Sequence, residues 1–251
     1  MLAEQHALAG QTALVTGGAR RVGAEIVRHL HAAGANVAIH CNHSQTQAQA
    51  LAAELNAQRA GSAAVFGTDL LQTVTLPPLV AAVVSRFGGL HILVNNASSF
   101  YPTPLASVTT TQWTDLMGTN LAAPLFLTQA AASELKRARG LIVNIVDIHG
   151  LRPLPGYLVY STAKAALIHL TRGLARELAP EVRVNAIAPG PVLWPEAGLD
   201  EAQQQEIISR TLLERAGSSA DVARAVRFFA TDAPYVTGQI LSVDGGRSLR
   251  W

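Results

Sequence analysis

Short apolar segments and longer segments of helical periodicity alternate along the whole chain, and this alternation constrains the fold most. The predicted strands cover residues 12–16, 36–40, 63–66, 90–94, 141–146, 182–187 and 239–243. The predicted helices between them cover residues 19–33, 44–59, 72–87, 111–137, 157–179 and 218–231. A strand followed by a helix and another strand requires a right-handed crossover and parallel pairing. The sequence therefore predicts a doubly wound α/β fold, a seven-stranded parallel sheet with helices on both faces.

The whole chain, residues 1–251, is predicted to form one domain, because 49% of its residues are hydrophobic and only 14% are charged. This composition excludes a disordered chain. The formal net charge of +2 gives no basis for a nucleic-acid partner. No apolar run reaches the ~18 residues that a membrane span needs, and the lone Cys41 cannot form an internal disulfide. We therefore expect a cytoplasmic protein that binds neither membrane nor nucleic acid.

A glycine-rich turn follows the first predicted strand. It reads Thr-Gly-Gly-Ala-Arg-Arg-Val-Gly from Thr16 to Gly23 and leads into a predicted helix. Glycines let the backbone approach a pyrophosphate, and a helix N-terminus supplies N–H donors and partial positive charge. Two arginines at this end oppose the helix dipole unless an anion binds there. The pattern predicts a Rossmann-type dinucleotide site, the alternative being a tight turn without a ligand; its predicted contacts are Gly17, Arg20, Arg21, Val22 and Gly23.

The end of the second predicted strand indicates which dinucleotide is bound. Folds that bind NAD usually carry an acidic residue there, which accepts from the ribose 2′-hydroxyl. This chain has no carboxylate from residue 40 until Glu54, and Arg20, His43 and Ser44 are available to a 2′-phosphate. The sequence therefore favours NADPH over NADH, although Ser44 is also suited to capping the next helix. Asp69, after the third predicted strand, either accepts from the adenine amino group or caps the following turn.

Tyr160 and Lys164 are four residues apart in a predicted helix, so both side chains lie on one face. Alone, this spacing is common in solvated helices. The pKa of tyrosine is ordinarily about 10. A lysine ammonium about 4 Å away would interact by about 4 kcal/mol at an effective dielectric constant of about 20, which would lower that pKa. We therefore expect Tyr160 to exchange a proton at working pH.

Further motifs follow successive strands in a fixed order. Asn95-Asn96-Ala97 follows the fourth strand, Asn120 lies in the fourth helix, and Pro189-Gly190 follows the sixth strand. With the glycine turn, Tyr160 and Lys164, these motifs resemble the short-chain dehydrogenase/reductase family over the whole chain. The resemblance implies that Tyr160 is the general acid/base, that Lys164 holds the nicotinamide ribose and lowers the Tyr160 pKa, and that Asn120 anchors a water in a proton relay. It also implies a homotetramer with the fourth and fifth helices at the interface, and cofactor contacts from Asn96, Ala97, Tyr160, Lys164, Pro189 and Gly190.

Two departures from the ordinary family pattern narrow the resemblance. Asp147 stands 13 positions before Tyr160, where the family usually has serine, and Arg21 replaces the usual middle glycine of the turn. These departures, with the Asn-Asn-Ala-Ser-Ser-Phe-Tyr-Pro run from residue 95, resemble the pteridine reductases of the family. The resemblance implies that Arg21 contacts cofactor phosphate and pterin, that Ser98 contacts the cofactor, and that Phe100 stacks the pterin against nicotinamide. The residues implied to bind the substrate are Arg21, Ser98, Phe100, Asp147, Tyr157 and Tyr160.

The chemistry of these residues agrees with reduction of a pterin. A carboxylate would repel the alkoxide that develops in ketone reduction, whereas Asp147 can orient or recharge Tyr160 for proton delivery to a ring nitrogen. Phe100 offers a stacking surface to a flat substrate. The alternatives are that Asp147 caps a turn and that Phe100 is a loop aromatic buried under a lid.

Residues 189–215 interrupt the alternation, and a loop of this length is typically a lid over a site. Within it, Trp194 either closes over the substrate or fixes the loop. The eight histidines show no metal-ligand spacing, so we expect no metal site. We predict an NADPH-dependent pteridine reductase that acts on a dihydropterin or a folate. The alternatives are a general short-chain carbonyl reductase, acting on a ketoacyl thioester or a ketosteroid, and a non-catalytic NADPH-binding sensor.

Overall fold

A computed structural model describes residues 7–192, 198 and 200–250 and contains a seven-stranded parallel sheet. The predicted doubly wound α/β fold is confirmed. The strands pair in the order β3-β2-β1-β4-β5-β6-β7. Their bounds are β1 Thr12–Val15, β2 Asn36–Cys41, β3 Ala63–Gly67, β4 Ile92–Asn95, β5 Leu141–Ile145, β6 Arg183–Pro189 and β7 Ile240–Val243.

Helices cover both faces of the sheet. Helices α1, α2 and α8 pack on one face, and α3, α5 and α6 pack on the other. In the described part of the chain, the α-helices are α1 Arg21–Ala32, α2 Gln45–Gln58, α3 Leu76–Phe87, α4 Thr110–Met117, α5 Ala123–Ala138, α6 Leu158–Glu177, α7 Glu201–Ser209 and α8 Ser219–Thr231. None of them is long and apolar enough to cross a membrane.

The side chains of each central strand alternate between two cores. Ala13 and Val15 in β1 belong to the core under α1, α2 and α8, whereas Leu14 belongs to the core on the opposite face. A strand buried on both faces is a continuous apolar run, which made it visible in the sequence. Because β1 lies between β2 and β4, the winding of the chain reverses there. Ligands of such sheets bind at this point, outside the carboxyl ends of the strands.

Several helix boundaries differ from the predictions; α3, for example, begins at Leu76 rather than at 72, after a 3₁₀ turn. The predicted helix 111–137 is divided into α4 and α5 by a π-helical turn, Gly118–Ala122. Pro124 has no N–H to donate to the carbonyl of Asn120, so regular helical bonding cannot pass through this point. Helix α1 begins at Arg21 rather than at 19. The predicted lid, 189–215, contains α7, which a capping box between Asp200 and Gln203 begins. Trp194 lies outside the described residues.

Candidate active site

A cleft of about 1000 Å³ opens at the carboxyl ends of the central strands. The turn after β1 and the segments that follow β2 to β6 form its walls. Asn120 is buried behind the wall. The other predicted site residues within the described chain line the cleft together: Gly17, Arg20, Arg21, Val22, Gly23, His43, Ser44, Asp69, Asn96, Ala97, Ser98, Phe100, Asp147, Tyr157, Tyr160, Lys164, Pro189 and Gly190.

The glycine turn packs tightly against the loop after β4. A Cβ on Gly23 would lie 2.1 Å from the Gly17 carbonyl oxygen, and Gly17 has a φ of +60°. Asn96 Nδ2 donates to the carbonyl oxygens of Thr16 at 2.8 Å and Gly17 at 3.1 Å. The Thr16 hydroxyl accepts from the amides of Asn96 at 2.9 Å and Ala97 at 3.0 Å. Asn96 and Ala97 line the cleft, and their hydrogen bonds hold the turn in shape, while their contact with the cofactor stays a prediction.

His40 contacts the same turn from the β2 side, and the sequence predictions assign it no role. Its carbonyl oxygen accepts from the Gly18 amide at 2.9 Å, and its Nδ1 accepts from the Gly17 amide at 3.2 Å. Its Nε2 lies 2.9 Å from the carbonyl oxygen of Thr68. Burial lowers the pKa of His40, which favours the neutral ring. A histidine inside an otherwise apolar strand is the sequence signal that could have revealed it.

The segment after β2 and the turn after β3 form a further part of the cleft wall. Asp69 Oδ1 accepts from the Leu71 amide at 3.0 Å, so Asp69 caps the turn while it also lines the cleft. Its contact with adenine stays a prediction. Ser44 occupies the N-cap position of α2, but its side chain makes no capping bond to the described residues. Ser44 therefore precedes α2 without capping it through its side chain, and it lines the cleft beside His43.

Arg20 and Arg21 stand at the N-terminus of α1, and both line the cleft. The first turn of α1 contains no acidic residue. Arg21 has a φ of +53°, in the left-handed region. A Cβ in this region costs roughly 1–2 kcal/mol, which glycine avoids. Arg21 therefore retains its side chain at a position where the backbone conformation favours glycine.

Tyr160 and Asp147 form a direct hydrogen-bonded pair. The Tyr160 hydroxyl donates to Asp147 Oδ2 at 2.8 Å, while Asp147 Oδ1 accepts from the His149 amide at 2.8 Å. Capping of the turn after β5 therefore does not exclude the predicted contact with Tyr160. Burial, and then the neighbouring Asp147 carboxylate, raise the pKa of Tyr160 well above its ordinary value. The phenol is held in its protonated form, ready to donate.

Lys164 lies over the ring of Tyr160. Its Nζ is 5.6 Å from the ring centroid and donates to the Ile145 carbonyl oxygen at 2.9 Å. Burial lowers the pKa of Lys164 to about 8, with Asp147 opposing the change. The expectation of a lowered Tyr160 pKa is wrong, because burial, and then the Asp147 carboxylate bonded to the hydroxyl, raise it.

Three aromatic side chains form one wall of the cleft. Phe100 stacks on Tyr157, with ring centroids 4.6 Å apart and an interplanar angle of 15°. It meets Tyr160 edge to face, with centroids 4.7 Å apart and an angle of 76°. Phe100 is 45% exposed, so the alternative of a buried loop aromatic is wrong. Its exposed surface is available to a flat ligand.

Ser98 connects the cleft to the buried Asn120. Ser98 Oγ donates to Asn120 Oδ1 at 2.7 Å. Asn120 Nδ2 donates to the carbonyl oxygens of Ser99 at 3.0 Å and Leu116 at 2.9 Å. Asn120 therefore reaches the cleft through Ser98 and Ser99 within the part of the chain that is described, and its water contact stays a prediction.

A proton-donating tyrosine in a cleft bounded by a glycine turn is the arrangement of a dinucleotide-dependent oxidoreductase. A sequence model of the family described as enoyl-(acyl carrier protein) reductase matches residues 17–248. The chain belongs to the short-chain dehydrogenase/reductase family of NAD(P)-dependent oxidoreductases, as the sequence predicts.

Relatives with different substrates resemble this chain to a similar degree. Pteridine reductase 1 of Leishmania tarentolae is 37% identical, over 94% of this chain and 96% of the relative. A 3-oxoacyl-(acyl-carrier-protein) reductase of Staphylococcus aureus is 35% identical, over 94% and 97%. The solved structure of a blue fluorescent protein from a metagenomic library, in complex with NADPH, has a TM-score of 0.90 and 35% identity, covering 96% of this chain and 98% of that chain. Overall identity therefore does not distinguish the substrate.

Proposed function

We propose that this protein is an NADPH-dependent pteridine reductase that reduces the ring of a dihydropterin or a folate. The observation that carries the proposal is the 2.8 Å hydrogen bond from Tyr160 to Asp147, next to the exposed ring of Phe100. The family usually has serine in place of Asp147. A neutral hydroxyl suits a developing alkoxide, whereas a carboxylate repels it. A carboxylate at this point is better matched to proton delivery to a ring nitrogen.

Tyr160 would deliver its hydroxyl proton to the substrate nitrogen. Its raised pKa keeps the proton in place until a stronger acceptor is within hydrogen-bond distance. Loss of the proton leaves a tyrosinate beside the Asp147 carboxylate, and these like charges repel each other. A solvent proton passed through Asp147 relieves the repulsion and restores the phenol. Lys164 contributes a positive charge under the same ring.

The aromatic wall would orient the substrate. A bicyclic ring stacked on Phe100 lies beside Tyr160, because the two rings are in edge-to-face contact. Tyr157 supports Phe100 from its other face. We propose that residues 189–215 act as the lid, since Ile207 of α7 contributes to the cleft wall.

The rest of the cleft fits NADPH. The tight contact of Gly23 with Gly17 brings backbone rather than side chains to the cleft at the N-terminus of α1, where a pyrophosphate is favoured. Arg20, His43 and Ser44 would hold the 2′-phosphate. Lys164, Ser98, Asn96, Ala97, Pro189 and Gly190 would surround the nicotinamide ribose and ring, and Asp69 the adenine. When bound, NADPH supplies the hydride.

An NADPH-oxidation assay across dihydrobiopterin, dihydrofolate, a 3-ketoacyl thioester and a ketosteroid tests the proposal, with NADH in parallel. We expect NADPH-dependent turnover of a dihydropterin or of dihydrofolate. Turnover of the ketones alone would identify a general carbonyl reductase, and NADPH binding without any turnover would identify a non-catalytic sensor. Tyr160→Phe should lower kcat by ~10²–10⁴-fold and leave NADPH binding nearly intact. Loss of both together would mean that Tyr160 is structural.

We also propose a cytoplasmic homotetramer with α4 to α6 at its interfaces. Leu125 and Phe126 on α5 and Leu158 on α6 are large apolar side chains exposed in the single chain. Grouped exposed apolar residues are typical of protein interfaces. Light scattering after size-exclusion chromatography should give four times the chain mass of 26.4 kDa. A monomer would contradict the proposal.

A further inference from the structure

We infer that His40 is a positioning residue of the cofactor site, which holds the glycine turn and the turn after β3 in the relative arrangement that NADPH requires. The inference rests on the proposed function only in its choice of NADPH as the cofactor.

The first link is to the glycine turn. The amide of Gly17 donates to His40 Nδ1 at 3.2 Å, and the amide of Gly18 donates to the His40 carbonyl oxygen at 2.9 Å. From the opposite side, Asn96 donates to the carbonyl oxygens of Thr16 and Gly17. The turn is therefore held between a hydrogen-bond acceptor on β2 and a donor after β4. Because its φ is +60°, Gly17 depends on such neighbours to define its conformation.

The second link is to the turn after β3. His40 Nε2 lies 2.9 Å from the carbonyl oxygen of Thr68, the residue before Asp69. The imidazole thus joins two neighbouring turns of the cleft wall, the glycine turn and the turn that carries Asp69. A displacement of either turn breaks one of the two ring contacts.

Only one form of the ring satisfies both partners. Nδ1 accepts from the Gly17 amide and so carries no hydrogen, while Nε2 carries the hydrogen and donates to Thr68. His40 is 2% exposed, so water cannot replace a lost partner without cost. Burial lowers the pKa of His40, while the Thr68 carbonyl and Asp69 oppose this shift. The net lowering favours the neutral ring, which both contacts require.

His31 provides a matched control. It is also buried, at 5% exposure, and its Nε2 lies 2.7 Å from Ser62 Oγ. Burial lowers its pKa as well. Its hydrogen bond, however, joins α1 to the residue before β3, and neither partner is among the residues that line the cleft. Removing that bond perturbs a buried histidine without touching the glycine turn.

Two substitutions of His40 separate its two contacts. In His40→Asn, the side-chain oxygen can replace Nδ1 as the acceptor for Gly17, and the contact with Thr68 is lost. In His40→Gln, the longer side chain can reach Thr68, and the acceptor for Gly17 is lost. The experiment titrates NADPH into wild type, both variants and His31→Gln, and follows binding by calorimetry. Melting temperatures without NADPH check that each protein is folded.

We expect His40→Gln to raise the Kd for NADPH by about 10-fold, as loss of one buried hydrogen bond predicts. His40→Asn, which keeps the acceptor for Gly17, should raise it by about 3-fold, and His31→Gln should keep the wild-type Kd even where its melting temperature falls. In turnover assays, the KM for NADPH should change more than kcat in His40→Gln. If His40→Gln does not fold, His40→Asn carries the test through its smaller rise in Kd.

A wild-type Kd in both His40 variants would overturn the inference. An equal rise in His31→Gln would also overturn it, because general destabilisation would then explain the effect. A wild type that binds NADPH but reduces no pterin would refute the proposed substrate and leave the His40 comparison valid. A wild type that binds no NADPH would overturn both.

Discussion

Substitutions of Arg21 can separate the cost of its backbone strain from the contribution of its side chain to ligand binding. Its φ is +53°, and its side chain lines the cleft. Glycine at this position would remove a cost of roughly 1–2 kcal/mol that any Cβ incurs in the left-handed region. Glycine is also freer in the unfolded chain, which costs about 0.5–1 kcal/mol. The net advantage of glycine over alanine at this position is therefore about 0.5–1 kcal/mol in the free energy of unfolding.

The comparison uses Arg21→Gly and Arg21→Ala, because both remove the guanidinium and all of its contacts. Their difference isolates the backbone. In a domain of this size, the expected free energy corresponds to a melting temperature about 1–4 °C higher for Arg21→Gly than for Arg21→Ala. Differential scanning fluorimetry without NADPH measures it. Both variants should bind NADPH at least about 10-fold more weakly, because a charge-assisted contact to phosphate is lost.

Two results would refute this reasoning. A melting temperature of Arg21→Gly equal to or below that of Arg21→Ala would show that the strain at this positive φ does not outweigh the freedom of glycine in the unfolded chain. Wild-type NADPH binding and pterin turnover in Arg21→Gly would show that the side chain is not kept for the cofactor or the substrate.

Three further perturbations test the site. The pKa of Lys164 is about 8 in the folded protein against 10.5 ordinarily, so the unfolded chain binds more protons between these values and stability rises with pH through this window. From pH 7.5 to 9.5, the free energy of unfolding of wild type, measured in urea, should rise by about 2 kcal/mol relative to that of Lys164→Met. The same pH dependence in both proteins would contradict this. Gly23→Ala places a Cβ 2.1 Å from the Gly17 oxygen and should abolish NADPH binding in a titration, so an unchanged Kd would show that the turn can move. Asp147→Asn removes a charge that raises the Tyr160 pKa, so the alkaline limb of the kcat/KM profile should move to lower pH rather than stay in place.

The order of strands and helices could be predicted because the central strands are buried on both faces and are therefore apolar throughout. The break between α4 and α5 could not be predicted from periodicity, because the apolar period continues through the π-helical turn at Gly118–Ala122. Pro124 was the available signal. Helix α7 could not be predicted for a different reason: it has no buried residue and so no apolar stripe. Only the pairing of Asp200 with Gln203 indicated its start.

The position of the cleft residues could be predicted because each follows a strand of a parallel sheet, and such strands end at one edge. The pKa of Tyr160 could not be predicted in the same way. A spacing of four defines which face of α6 carries Tyr160 and Lys164, but it does not define what reaches the hydroxyl. That group is Asp147, which comes from the loop after β5. The role of His40 could not be predicted either, because it depends on contacts with two turns that are distant in sequence.

Asp147 changes the chemistry of the site through two titratable neighbours, Tyr160 and Lys164. It raises the pKa of Tyr160, which makes the phenol a weaker acid, and it opposes the lowering of the Lys164 pKa by burial. A carboxylate repels the alkoxide that develops in ketone reduction, whereas it can help Tyr160 to deliver a proton to a ring nitrogen. In the proposed reaction, the carboxylate would then face a newly formed tyrosinate, and repulsion between the two would favour reprotonation before the next turnover. In the proposed function, the aspartate that penalises ketone reduction supports proton delivery to a pterin, and Asp147, rather than overall identity, therefore carries the proposed choice of substrate.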